Sequence, residues 1–362
     1  MHRKKYTCQI IILISGCLVF HLCSTAQTPA DSLLNFILKN KNKSSLYLSV
    51  NDSTIAKLNE NKPMPLAQTV NIMIAIEFAK QTGSGVIDED EYIPLSEIDK
   101  YYLPDVDSAN QQNWLNYELS QQHILNDSIQ LINIARGMII YDCNANAEYL
   151  LDLLGFDNVK NNAQLFNLKY HTAIFPIVAS MFLYQNPRRE NTNEILSDIK
   201  HLSEENYCRA IFGVHQALKN DTTLKPKFRI EDFSAKMHRE WSNRLTSSTT
   251  KEYVTICKTL NKRRLFSDLS YGIIAETLES AMENPINMQL FRHLGIKSGS
   301  TPWLLTNAVY ATGSDGKKIE MAFFFNDISP MENARLKKWA TDFEMQALTN
   351  EKFRQKLSSL LY

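Results

Sequence analysis

Pro65-Leu66-Ala67-Gln68-Thr69-Val70-Asn71 is the stretch on which the reading of this chain turns. A proline-bounded turn leads directly into Val70, Ile72, Met73, Ile74, Ala75, Ile76, Phe78 and Ala79. These residues are apolar on nearly every side of a helix, which predicts an element buried in the middle of a domain. Gly83-Ser84-Gly85 ends it. Gln68 and Asn71 are both carboxamides, and neither an amide nor a second amide attacks a carbonyl or takes a proton near pH 7.

Upstream, a short helix is expected around Ser32 to Leu38. Ser45 to Val50 and Thr54 to Leu58 then read as a hairpin turned at Asn51-Asp52. Downstream, residues 86 to 127 are acidic and read as irregular. Asp127-Ser128 is expected to cap a helix with Ile129, Ile132, Ile134, Met138 and Ile139 on its apolar face. A second helix, roughly Ala145 to Leu154, closes at Gly155. Residues 186 to 245 are polar and helical in pattern, and read as an inserted or enlarged helical lobe of one domain. Thr246 to Thr249 starts a further helix running to about Leu260. Leu304 to Thr312 and Ile319 to Asn326 flank Gly313-Ser314-Asp315-Gly316, a strong hairpin signal, and helices from Glu332 finish the chain. Strands near both ends with helices between them predict an α/β sandwich. Its antiparallel sheet is built from both termini and flanked by helices, beside an all-helical lobe.

The start of the chain reads as an export signal. His2-Arg3-Lys4-Lys5 is basic, Ile10 to Phe20 is apolar but too short to span a bilayer comfortably, and Ser24-Thr25-Ala26 offers a cleavage site before Gln27. A periplasmic or secreted location follows. Ile14-Ser15-Gly16-Cys17 resembles a lipobox, but the apolar run continues past Cys17, so a lipid-anchored form is the less favoured alternative. No later segment is apolar and long enough for a membrane helix. Without Arg3, Lys4 and Lys5 the basic count falls from 39 to 36 against 39 acids, a balance that gives no support to a nucleic-acid partner. Cys143, Cys208 and Cys257 remain beyond the leader, neither a disulfide framework nor a metal-ligand spacing. No cofactor or metal site is expected.

With its elements in this order, the chain resembles the class A β-lactamase and penicillin-binding transpeptidase family over nearly its whole mature length. Four landmarks carry the resemblance: Pro65 to Asn71 with its buried helix, Asp142-Cys143-Asn144 between two helices, Leu245 to Tyr253, and Gly295-Ile296-Lys297-Ser298-Gly299-Ser300 ahead of a hairpin. The resemblance implies that Gln68 and Asn71 stand where the family has the serine and lysine of Ser-x-x-Lys. Those two residues share a helix face, so that the lysine or a relayed water activates the hydroxyl. Asp142 stands at the serine of Ser-Asp-Asn. Asn144 matches the substrate-binding asparagine, and Lys297 and Ser298 match the pair that holds the substrate carboxylate. Gly299 continues that strand motif. The oxyanion hole falls to the backbone N–H groups of Gln68 and Ser300, which survive side-chain substitution. The family's deacylating glutamate has no counterpart, since no glutamate lies between Gly155 and Leu183.

The expectation is therefore a binding site without nucleophile or base, for a cell-wall peptide, a β-lactam-like small molecule or a protein partner. Two other readings stand beside it: an active hydrolase using non-standard residues, and a structural interaction protein using the helical insertion. Ser197 with Lys200 and Ser248 with Lys251 repeat the Ser-x-x-Lys spelling but lie in polar surroundings, and read as chance matches. Thr69 should point about 100° away from the Gln68 direction, and Cys143 reads as a buried, inert thiol. An aspartate at 142 beside the strand lysine predicts an ion pair between Asp142 and Lys297.

Overall fold

The computed structural model describes residues 28–185, 191–221 and 223–362. The proposed leader lies outside the described residues.

One five-stranded antiparallel sheet organises the molecule. Its strands run in the spatial order Ser53–Leu58, Ser44–Val50, Lys318–Asn326, Leu304–Gly313, Phe291–Thr301. The N-terminal hairpin therefore pairs directly with the last strand, Leu46 opposite Phe323 and Leu48 opposite Met321. Side chains alternate across a strand, and the alternation divides the sheet into two buried faces. Leu46, Leu48, Met321, Phe323 and Phe325 pack under the helices Pro29–Lys39, Pro330–Thr349 and Glu351–Leu361. Tyr47, Ala322 and Phe324 face the opposite layer, built on helix Thr250–Lys262 and the buried helix Asn71–Gly83. Nearly every residue of that last helix is buried, including Met73, Ala75, Ile76 and Phe78, as its all-round apolar sequence requires.

The helical lobe has its own core. Helices Thr192–His201, Glu204–Asn220 and Ala235–Asn243 bury Leu196, Ile211, Met237 and Trp241 together with Phe175, Leu103 and Leu304. Two expectations are corrected. Asp127-Ser128 does not cap a helix: Ser128–Gln130 is a short strand pairing with Tyr92–Pro94, and the helix begins at Leu131. Nor is 86 to 127 irregular, since Pro104–Ser120 is a helix of 17 residues. Among the described residues no helix is long and apolar enough to cross a membrane.

Candidate functional site

The turn before the buried helix approaches the edge strand Phe291–Thr301 as closely as two backbones can. Ala67 takes a left-handed backbone conformation with φ +45°, and residues Ala67–Val70 form one 3-10 turn ahead of helix Asn71–Gly83. A methyl group placed on Gly299 would lie 2.6 Å from the Gln68 nitrogen and 2.5 Å from the Thr69 nitrogen. Only glycine admits that approach, and it brings the strand backbone at Gly299 against the Gln68 and Thr69 nitrogens.

The side chain of Gln68 then fills the space between the two elements. Its Oε1 accepts the Ser300 N–H at 3.2 Å, and its Nε2 donates to Asn144 Oδ1 at 3.3 Å. Asn144 in turn donates through Nδ2 to Asp107 Oδ1 at 2.6 Å. Three of the expected site residues thus meet in one chain of amides, ending on a buried carboxylate. Burial pushes the Asp107 carboxyl up to about 7, against the Asn144 side chain and the Asn144 and Ala145 backbone N–H groups, which favour its charged form. Asp107 was not anticipated. The signal for it was Pro104 followed by Asp105 and Asp107, a proline at the first helical position with acids in the first turn.

A second cluster forms one strand residue away. Lys297, 2% exposed, donates to the Ile139 carbonyl at 3.0 Å and forms an ion pair with Asp142. Asp142 reaches the lysine from a left-handed residue with φ +56°, in the loop ahead of helix Asn144–Leu154. The anticipated pairing of these two residues is present. Ser298 is exposed on the same strand.

The remaining site residue stands apart. Asn71 is buried against a cavity of about 10 Å³ that Asn144 and Glu148 also line, and neither Nδ2 nor Oδ1 has a hydrogen-bond partner among the described residues. Thr69 turns away, its hydroxyl 2.8 Å from that of Thr306 on the neighbouring strand. Cys143 is fully buried, and its thiol is driven far above the ordinary range by desolvation, with Asp107 and Asp142 adding to it. Such a thiol is no nucleophile. Ser248 is buried with its hydroxyl committed to Glu252, whereas Lys251, Ser197 and Lys200 are exposed, so neither repeat of the Ser-x-x-Lys spelling forms a pair in a cleft. Among the described residues no cluster of His, Cys, Asp or Glu is arranged to hold a metal.

A known family matches nearly the whole described length of the chain. The β-lactamase enzyme family aligns with residues 28–362. The chain belongs to that family. Among solved structures, this β-lactamase-family chain is similar to the TLA-3 extended-spectrum β-lactamase, with 12% identity, 88% of this chain and 98% of that one covered, and a TM-score of 0.52. It is also similar to PBP-A, with 12% identity, coverage of 87% and 95%, and a TM-score of 0.51. At that identity the likeness concerns the fold. No curated protein matches the sequence.

Proposed function

We propose that this β-lactamase-family protein is exported and does not acylate, acting by binding rather than by acyl transfer. The observation that carries the reading is the Gln68 carboxamide held between the Ser300 N–H and Asn144. A reaction through an acyl-enzyme needs a hydroxyl or thiolate at that point and a base to activate it. Here an amide stands there, and Asn71 offers no base. The same contacts bear on what binds. Three of the groups expected to face a ligand already have an internal partner: the Ser300 N–H has Gln68, Asn144 has Asp107, and Lys297 has Asp142. A cell-wall peptide or β-lactam-like molecule bringing a carboxylate and an amide must displace two of these contacts, so its binding in the cleft is weak.

A hydrolase with relocated chemistry finds no support at Cys143, whose burial keeps it protonated. The reading as an interaction protein built on the 186 to 245 insertion loses ground for a different reason. Most of the apolar residues of those helices are spent on their own core.

Intact-protein mass spectrometry after incubation with a fluorescent penicillin tests the proposal. No adduct is expected, and Gln68→Ser combined with Asn71→Lys should acylate only weakly, because Asp142 still occupies the proton-relay position. PBP-A supplies the positive control, since a variant of it is known as an acyl-enzyme with penicillin G. A stable adduct on the unmodified chain overturns the reading.

A further inference from the structure

A large cavity lies outside the Gln68 cleft. It is an open cleft of about 1140 Å³ between helix Phe156–Leu165, residues 166–174 and the first half of helix Glu204–Asn220. That size slightly exceeds the usual range for small-molecule sites. Its apolar wall includes Phe156 and Phe212, which meet edge to face at 4.7 Å, with Leu168 and Ile174 beside them. Phe156 also stands edge-on to the fully buried His215 at 5.6 Å, which ties this wall to the protein interior.

Charges ring the opening, and most are already engaged. Arg209 donates to Glu205 at 2.7 Å, and Glu204 accepts the Ala173 N–H at 3.2 Å. Asp157 sits in the first turn of its helix, where the N-terminal N–H groups favour a carboxylate. Lys160 and Lys169 line the same cleft, are exposed, and form no ion pair among the described residues. The cleft thus couples an aromatic, apolar wall to two ammonium groups without an ion pair among the described residues, while two of its three carboxylates, Glu204 and Glu205, are engaged.

We propose that this cleft binds an anionic amphiphile, its apolar body against Phe156, Phe212 and Ile174 and its carboxylate or phosphate head held by Lys160 and Lys169. A cationic or uncharged amphiphile leaves both ammonium groups without a counter-charge. An extended peptide finds only helices and loop at these walls, with no strand edge to pair with. The proposal does not depend on whether the Gln68 site acylates.

Cys208 supplies a reporter within the cleft. It lines the wall and is half-buried, whereas Cys143 and Cys257 are buried in the core. Burial raises its thiol, so labelling is slow and sensitive to occupancy. Maleimide labelling of the full chain at pH 8.5, read on the Cys208 peptide by mass spectrometry, is compared with and without sub-micellar dodecanoate, dodecyl phosphate and dodecyltrimethylammonium. At least one anionic probe should slow labelling about fivefold or more, and whichever does so identifies the head group. The cation should not slow it. In calorimetric titration, K160E with K169E should weaken the effective anionic probe about tenfold or more, consistent with losing two near-surface charge contacts and gaining two repulsive ones. Both lysines are exposed, so the variant keeps its fold, which its thermal melt checks. Unchanged labelling with both anionic probes, equal protection by the cation, or undiminished affinity in the double variant each overturns the proposal.

Discussion

Helix Asn144–Leu154 serves two buried polar clusters that are built on opposite principles. At its first turn Asn144 belongs to the Gln68 cleft, where neutral amides cap one another and a strand lysine is neutralised by Asp142. One and two turns later, Glu148 and Asp152 close on His215 from the helical lobe, with Nδ1 3.2 Å from Glu148 and Nε2 2.9 Å from Asp152. Lys219 at 2.7 Å and the Tyr101 hydroxyl at 2.6 Å complete the coordination of Asp152, while Glu148 also accepts the Val178 N–H at 2.6 Å. In this second cluster every charge has partners, and it fastens the lobe to the central helices. In the cleft, Asn71 and Asp107 Oδ2 are left without any among the described residues. Full ionic satisfaction is found where two layers must be joined. Among the described residues, three orphaned polar atoms stand at the Gln68 site, with others scattered elsewhere, such as Ser49 Oγ and Glu320 Oε2, but none in the His215 cluster.

If the contrast is right, the heaviest loss comes from the charged cluster. His215→Ala should leave buried Glu148 without a counter-charge and Asp152 with Lys219 alone, and breaking a buried ion pair from one side costs about 3–5 kcal/mol. A fall in Tm of roughly 5 °C is expected at pH 7 for a chain of this length, measured by calorimetry. A change of less than about 2 °C would mean that the cluster does not fasten the lobe.

The same cluster fixes the pH dependence. Burial disfavours the imidazolium, but hydrogen bonds and charge from Asp152 and Glu148 outweigh it and raise His215 to about 9. The native state therefore holds a proton that the unfolded chain releases near 6.5. Its stabilisation is fully present below 6.5 and is lost as pH rises through about 9. Asp107 acts in the same direction, since a carboxyl raised to about 7 makes the native state progressively less favourable as pH climbs from about 4. Urea titrations should show stability falling by about 2 kcal/mol between pH 6.5 and 9.5, and His215→Phe should remove most of that slope. A slope unchanged in that variant would place the titration elsewhere.

Much of this was legible in the sequence, and the failures share a cause. The sheet could be read because apolar-rich runs flank turns such as Gly313 to Gly316, and the cleft could be read because its landmarks keep their order. Helix Pro104–Ser120 could not. Its buried stripe, Asp107, Gln111, Trp114 and Glu118, has helical spacing, but three of the four are polar, so hydrophobic periodicity does not register it. Asp107 disappeared with it. Glu148 and Asp152 share a helix face, but their partner His215 is 63 residues beyond Asp152 and belongs to another lobe. The self-capping by Gln68 depends on a side-chain direction, which no sequence pattern specifies. The ion pair was accessible because charge balance can be read from residue identity alone.

The cleft's own ion pair should matter less than the lobe's cluster. Asp142→Ala leaves the Lys297 ammonium with the Ile139 carbonyl and no counter-charge. Because the Asp142 side chain is 36% exposed, water offsets part of the loss, and about 2 kcal/mol is expected by denaturant titration. That variant also uncovers the lysine for a ligand carboxylate, so weak binding of benzylpenicillin, followed by calorimetry, should strengthen. Loss of stability without any gain in binding would show that Lys297 is structural only.

The smallest effect has the opposite sign, and it separates the two clusters most sharply. Asn71 keeps a carboxamide beside Ile74, Leu151 and Ile174, around a cavity of about 10 Å³. Neither end of the amide is hydrogen-bonded among the described residues, so folding desolvates it without compensation, a cost of about 1–3 kcal/mol. Leucine keeps the branching at Cγ and has no polar atom, but its two methyl groups are bulkier than the amide oxygen and nitrogen. Asn71→Leu should therefore stabilise the protein by about 1 kcal/mol, part of the gain being spent on bulk that fits the cavity less well than the planar amide. In the charged cluster any such swap destabilises, because every atom there has a partner to abandon. A clear destabilisation by Asn71→Leu would show that this amide is held by contacts of its own, and the cleft would then be as deliberately built as the lobe.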